Sequence, residues 1–287
     1  MIVYAASGIY GLMTETLSTE NGRTVLRMQR SLRHPVEKVW RAITEPRELA
    51  GWFPAAVELD LRLDGPITFT FEQDPGAPAD TQSRGVIRAY EPPRLIEYTW
   101  GDEVLCWELT PADDGCVLHL TATYDDRPGS ASFTSGWILC FDALERVLGG
   151  SAVQEKEYAV LHEHFVKVYG LDEGVVLDDG GIRFERQLVR PKEAVWELLT
   201  GAATAAVGAA PPAGFVAKGI DPGPVTDVVV PERLTYTSSD GEVTWTLRDG
   251  NGGARLVLTQ TGPAADHLTT WRDHIESLAA ELAGANY

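Results

Sequence analysis

Arg30 and Arg186 are the polar residues whose placement in the sequence points most directly to chemistry. Arg30 shares strand parity with Leu26, Met28 and Leu32, and Arg186 with Ile182, Phe184 and Leu188. Both side chains should turn toward the apolar side of a sheet, where an unpaired charge is costly. Two readings follow. In one, each guanidinium makes a fork-like bond to a carboxylate such as Glu97 or Glu108. In the other, Arg30 anchors the acidic head group of a ligand in a cavity. Presence of the arginine in two related segments favours the first, because duplicated domains most often share structure.

An aromatic set could supply the walls of such a cavity: Trp52, Phe53, Phe69, Phe71, Tyr98, Trp107, Phe133, Trp137 and Phe141. Most of these would serve equally well as core filling. Trp52-Phe53 differs, because it follows a predicted helix and precedes Pro54, where a loop should begin. Two large rings at a loop suit the mouth of a pocket. These nine residues and Arg30 form the candidate ligand-binding set.

Other chemistry is not supported by the residue pattern. His162 and His164 are two apart on a predicted helix and cannot share a face, and HEHFV is not HExxH. His267 and His274 share a face, but no Cys or carboxylate cluster completes a zinc set. The histidines are expected in solvent. Cys106, Cys116 and Cys140 are an odd number without CxxC, and are expected to pack as small apolar groups. There is no GxSxG and no Gly-rich phosphate loop. No metal and no cofactor are called for. A cavity enzyme using one acid or base would leave no signature.

Composition narrows the partners. A formal charge of −18 over 287 residues opposes binding to nucleic acid phosphates and to an anionic membrane surface. No apolar run approaches a membrane span, and MIVYAASGIYGLM lacks the basic start of a signal peptide. A soluble, cytoplasmic protein is expected. At 44% hydrophobic content the chain has material for two cores.

The elements that must hold these residues are written twice. RMQRSLRHPVEKVWRAIT at Arg27–Thr44 returns as RFERQLVRPKEAVWELLT at Arg183–Thr200, identical at eight of eighteen positions. Each reads as a strand running into a helix, with Pro35 at the first helical position. A second short helix is expected over Arg47–Trp52. Strands are predicted at Val57–Leu63, Ile67–Glu72, Arg84–Tyr90, Leu95–Trp100, Val104–Thr110 and Cys116–Tyr124, with a break at Asp74–Asp80. A long amphipathic helix follows at Ser132–Leu148 and another helix at Val153–Val168. Asn21-Gly22 marks a hairpin before the first repeat strand. Trp107, Leu109, Gly115, Leu118 and Leu120 recur 138 residues on, and Trp137, Leu144 and Leu148 recur 134 residues on. Segregated strands and helices make each copy an α+β domain.

RSLRHPVEKVWRAITEPRELAGWF, GVIRAYEPPRLIEYTW, VLCWEL, GCVLHLT and GWILCFDALERVL together resemble the activator-of-heat-shock-ATPase-homologue (AHSA-type) branch of the START-like, or SRPBCC, superfamily, over roughly residues 24–170. Residues 181–284 resemble it more faintly. The resemblance implies a helix-grip fold in two tandem copies, with a curved antiparallel sheet around a long C-terminal helix. It also implies an internal cavity that holds apolar ligands or, less often, supports catalysis.

The domains are expected at 1–175 and 176–287. A small apolar or amphipathic ligand in the first domain is the leading expectation. A cyclase- or hydrolase-type cavity enzyme, with Arg30 or Tyr98 polarising a carbonyl, comes second. A co-chaperone-like protein partner comes third. The second domain is expected to be closed. Trp40 to Arg94 spans 54 positions, whereas Trp196 to Arg233 spans 37, and 201–214 carries no aromatic residue.

Overall fold

The hairpin predicted at Asn21-Gly22 is where the first sheet begins to take shape. Asn21 (φ 50°) and Gly22 (φ 81°) both adopt the left-handed backbone that a two-residue turn between twisted strands requires. The computed structural model describes residues 4–7, 13–71, 82–149 and 157–284. The expected break at Asp74–Asp80 and residues 153–156 of the expected helix lie outside them. The chain divides into two compact units, Met1–Ser130 with Thr134–Tyr158, and Ala131–Phe133 with Ala159–Tyr287.

In the first unit the strands are β1 (Tyr4–Ser7), β2 (Met13–Glu20), β3 (Arg23–Leu32), β4 (Ala56–Leu59), β5 (Pro66–Thr70), β6 (Gln82–Glu91), β7 (Leu95–Trp100), β8 (Glu103–Ala112) and β9 (Gly115–Tyr124). They form one antiparallel sheet in the order β1-β2-β3-β9-β8-β7-β6-β5-β4. Helices α1 (Val36–Thr44) and α2 (Pro46–Leu49) follow β3, and the long α3 (Ser130–Val147) follows β9. The strict alternation of buried and half-exposed residues along β9 shows one face turned inward and one toward water. Ring contacts between Trp107 on β8 and Trp137 and Phe141 on α3 place that helix on the inner face.

Two local expectations are corrected. Pro35 is the cap of α1 (φ −58°, ψ 148°) and not its first residue, since its extended ψ lies outside the helix. The second helix stops at Leu49 and does not reach Trp52. The amides of Trp52 and Phe53 both bond to the Leu49 carbonyl, at 3.0 and 2.8 Å, and this convergence turns the chain off the helical path.

The second unit contains α4 (Tyr158–Val168), β10 (Val175–Val176), β11 (Ile182–Gln187), α5 (Lys192–Thr200), β12 (Pro222–Val229), β13 (Arg233–Ser238), β14 (Gly241–Gly250), β15 (Gly253–Gln260) and α6 (Leu268–Gly284). Its sheet order, β10-β11-β15-β14-β13-β12, repeats β2-β3-β9-β8-β7-β6 of the first. The two units are copies of one α+β helix-grip fold. The second lacks counterparts of β4 and β5, which accounts for its shorter stretch after the first helix.

Candidate functional site

Arg30 is held on β3 opposite Leu118 of β9, and Arg186 on β11 opposite Leu256 of β15, so both face inward as their strand parity requires. They are 6% and 1% exposed. The expected partners are corrected: neither Glu97 nor Glu108 serves Arg30. Both lie on the other face of the sheet, where Glu108 takes Arg94 at 2.9 Å. Arg30 instead reaches across to α3, where Nη2 donates to Asp142 at 2.9 Å and to Glu145.

In the second unit Arg186 Nε donates to Glu276 of α6 at 2.9 Å, and Nη2 donates to Glu163 of α4. Burial alone would raise the Glu163 carboxyl, but bonds from His162 and Arg186 hold it below the ordinary range. The acidic partners were missed in the sequence, yet a signal existed. Asp142 and Glu276 stand 134 residues apart, the spacing that relates Trp137 to Trp271.

The aromatic candidates converge in the first unit. Phe53 lies against Trp52 (5.5 Å, 86°), Phe69 (5.9 Å, 25°), Trp100 (5.5 Å, 32°) and Trp137 (5.8 Å, 54°). Trp107 meets Trp52, Trp137 and Phe141 edge-on, at 5.7, 5.4 and 6.0 Å. Trp52 is fixed by its indole N–H, which donates to the Ala42 carbonyl of α1 at 2.8 Å. Phe71 stacks on Trp100 (5.7 Å, 21°), Trp100 on Phe69 (4.5 Å, 14°), and Phe69 packs on Tyr98 (5.8 Å). Trp100, which was not among the sequence candidates, is thus central. Its signal was strand parity with Tyr98. Phe133, on the first turn of α3, is half-buried and stands outside this set of ring contacts.

Tyr98 is the one hydroxyl among these rings. It accepts the Trp107 indole N–H at 2.9 Å, and burial pushes its pKa up, so it is poorly suited to acid–base work.

The second unit fills the equivalent space with its own chain. Phe215 meets Trp196 (5.2 Å) and Trp245 (5.6 Å, 83°), the arrangement Trp52 has against Trp107. Its carbonyl accepts the Trp245 indole N–H at 3.1 Å and the Tyr236 hydroxyl at 2.9 Å. The aromatic residue that 201–214 lacks is supplied one position further on.

Among the remaining candidates, burial pushes the Cys106 thiol up to about 11 and the Cys140 thiol to about 12, and Cys116 is also buried. The solvent placement expected of the histidines is corrected for His162. It is fully buried on α4 with Nδ1 3.1 Å from Glu163, and burial lowers its pKa. His274 also lies inside, its Nε2 2.8 Å from the Gly214 carbonyl. Among the described residues no group of His, Cys, Asp and Glu could hold a metal, and no helix is long and apolar enough to cross a membrane. A groove of about 240 Å³ crosses the outer face of β2, β3 and β9 beside Thr16, Gln29, His119 and Thr121. Arg27 at its edge is engaged by Glu20 at 2.6 Å.

Residues 33–149, from the turn before α1 to the end of α3, match the family model described as Activator of Hsp90 ATPase homolog 1-like protein. No curated protein matches the chain. Among solved structures, a conserved protein of unknown function from Enterococcus faecalis is 18% identical, with a TM-score of 0.46 over 53% of this chain and 88% of its own. CalU16 from Micromonospora echinospora is 20% identical, with a TM-score of 0.43 over 59% of this chain and 99% of its own. A Mesorhizobium loti protein is 23% identical, with a TM-score of 0.39 over 44% of this chain and 96% of its own. Through residues 33–149 the chain belongs to the Activator of Hsp90 ATPase homolog 1-like family.

Proposed function

We propose that the first unit binds a small, flat, apolar or amphipathic molecule among the rings between its sheet and α3. The observation that carries this reading is the graded exposure of one ring stack. Phe71 is 36% exposed, Trp100 is half-buried, and Phe69 and Phe53 are buried. A core has no need to extend its stacked rings into solvent, whereas a pocket mouth does, since each ring offers a face to an incoming apolar surface. The second unit supports the contrast, because Phe215 occupies its corresponding space. Titration of the whole chain with Nile red, a neutral dye that brightens in apolar surroundings, tests the reading. Saturable binding weakened at least several-fold by Trp100→Ala is expected. Absence of saturation, or binding indifferent to Trp100→Ala, would reject it.

A protein partner is the second reading, and a separate feature favours it. Edge strand β10 presents Val175 and Val176 to solvent, 53% and 49% exposed, with an unpaired backbone edge of the kind that accepts an added strand. The family description directs the test toward a heat-shock ATPase. Stimulation of its ATP hydrolysis by the whole chain, lost on Val176→Lys, is the expected result, and no stimulation would exclude it.

A further inference from the structure

We infer that the first unit takes a neutral oxygen acceptor of its ligand, a ketone, amide or hydroxyl oxygen, on Nη1 of Arg30. This deepens the small-molecule reading above and rests on it. The observation is a difference between two copies of one ion pair. Arg186 uses all three of its nitrogens within the second unit. Nε and Nη2 go to Glu276 and Glu163, and Nη1 donates to the Gln187 carbonyl at 2.6 Å. Arg30 places Nη2 on Asp142 and Glu145, but Nη1, equally buried, has no hydrogen-bond partner among the described residues. A buried guanidinium N–H without an acceptor is costly, and proteins keep such groups where something else completes them.

The same contrast recurs at neighbouring positions. Trp245 and Tyr236 both end on the backbone carbonyl of Phe215, whereas Trp107 ends on the Tyr98 hydroxyl and no backbone carbonyl comes between them. In the second unit the chain itself serves as the acceptor. Ser135 Oγ, fully buried on α3 two turns before Asp142 and on the same helix face, also lacks a partner. The polar end of the first interior therefore offers donors without acceptors.

Charge selects the acceptor. One guanidinium already faces two carboxylates, so a ligand carboxylate would arrive as a third negative group at a buried site. A neutral oxygen gains the charge-assisted bond without that repulsion. The acidic head group expected from the sequence is thereby replaced by a carbonyl or hydroxyl.

Three probes of one shape test this in the whole chain by calorimetry: 2-acetylnaphthalene, 2-ethylnaphthalene and 2-naphthoate. The ketone should bind about tenfold more tightly than the ethyl compound, and the carboxylate most weakly. Arg30→Lys keeps a cation between the carboxylates but cannot aim a second donor. It should reduce the ketone preference to within about twofold and leave 2-ethylnaphthalene unchanged. Glu145→Gln, at a partly exposed site, should strengthen 2-naphthoate about tenfold, and it carries the test should Arg30→Lys fail to fold. Equal binding of ketone and ethyl probes would mean that Nη1 holds a buried water only, and would overturn the inference while leaving the small-molecule reading intact. Tightest binding by 2-naphthoate would also overturn it. Binding by none of the three would reject the small-molecule reading itself.

Discussion

Removing the guanidinium of Arg30 leaves two carboxylates of α3 facing an apolar sheet. Arg30→Met should destabilise the first unit by about 3–5 kcal/mol, the usual loss when one partner of a buried pair is removed. Denaturant unfolding checks this, and a change below about 0.5 kcal/mol would contradict it. Glu103 gives a pH-dependent counterpart. Burial, with Asp126 nearby, raises its pKa from 4.5 to about 7. A raised folded-state pKa means that stability is fully present below 4.5 and is lost as pH rises through about 7. Glu103→Gln should therefore raise unfolding free energy by about 1–2 kcal/mol at pH 8 and change it little at pH 4. Equal effects at both pH values would show that desolvation of this carboxylate is not at work. The inward direction of Arg30 was legible from strand parity alone. Its partner was not. Asp142 is 112 residues away on a helix, and a sequence shows which side a residue faces but not what crosses the gap.

The elements were legible to within a few residues wherever hydrophobic period and turn chemistry agreed. β7 falls at Leu95–Trp100 as read from its alternation, and β9 and α3 extend beyond the expected spans by one and two residues at their starts. Misreadings came where a single hydrogen bond redirected the chain, as at Leu49, or where an extended cap residue stood in for a helical one, as at Pro35. Phe215 was overlooked because the missing wall was sought only within 201–214, and the 3₁₀ turn at Ala213–Phe215 that delivers the ring has no periodic signature. One recurring residue has a clear structural cause. Gly115 (φ 146°) and Gly253 (φ 151°) each open the last strand of a copy. A Cβ there would stand 2.2 Å from the carbonyl oxygen of Leu32 or Leu188. Gly115→Ala must move the β3 backbone and should cost the first unit about 2 kcal/mol or more. A thermal melt matching the parent protein would contradict that account.

At the scale of the whole chain, duplication was the most legible feature, because identical residues at constant spacing reveal a repeat before any strand is assigned. The limit of the second copy was harder to see. Sequence alone places the second domain at 176–287, but Arg186 draws one of its two carboxylates from Glu163 on α4, and Asp172 accepts Arg272 of α6 at 2.6 Å. We expect a fragment of residues 158–287 to fold cooperatively and one of residues 176–287 to melt lower or not fold, since the shorter piece leaves Arg186 with Glu276 alone. Circular dichroism melts of the two fragments decide this, and equal midpoints would contradict it. What separates the two copies functionally is what fills each interior, a contrast set by the loss of β4 and β5 and the arrival of Phe215 in the second. The central claim is that the first interior is a ligand site, and a crystal structure of the whole chain soaked with 2-acetylnaphthalene tests it most directly. Density for the probe against Phe53, Trp100 and Trp137, with its ketone toward Arg30, is the predicted result. Density within the second unit or in the groove of β2, β3 and β9, or the rings of the first unit unchanged and no probe present, would contradict it.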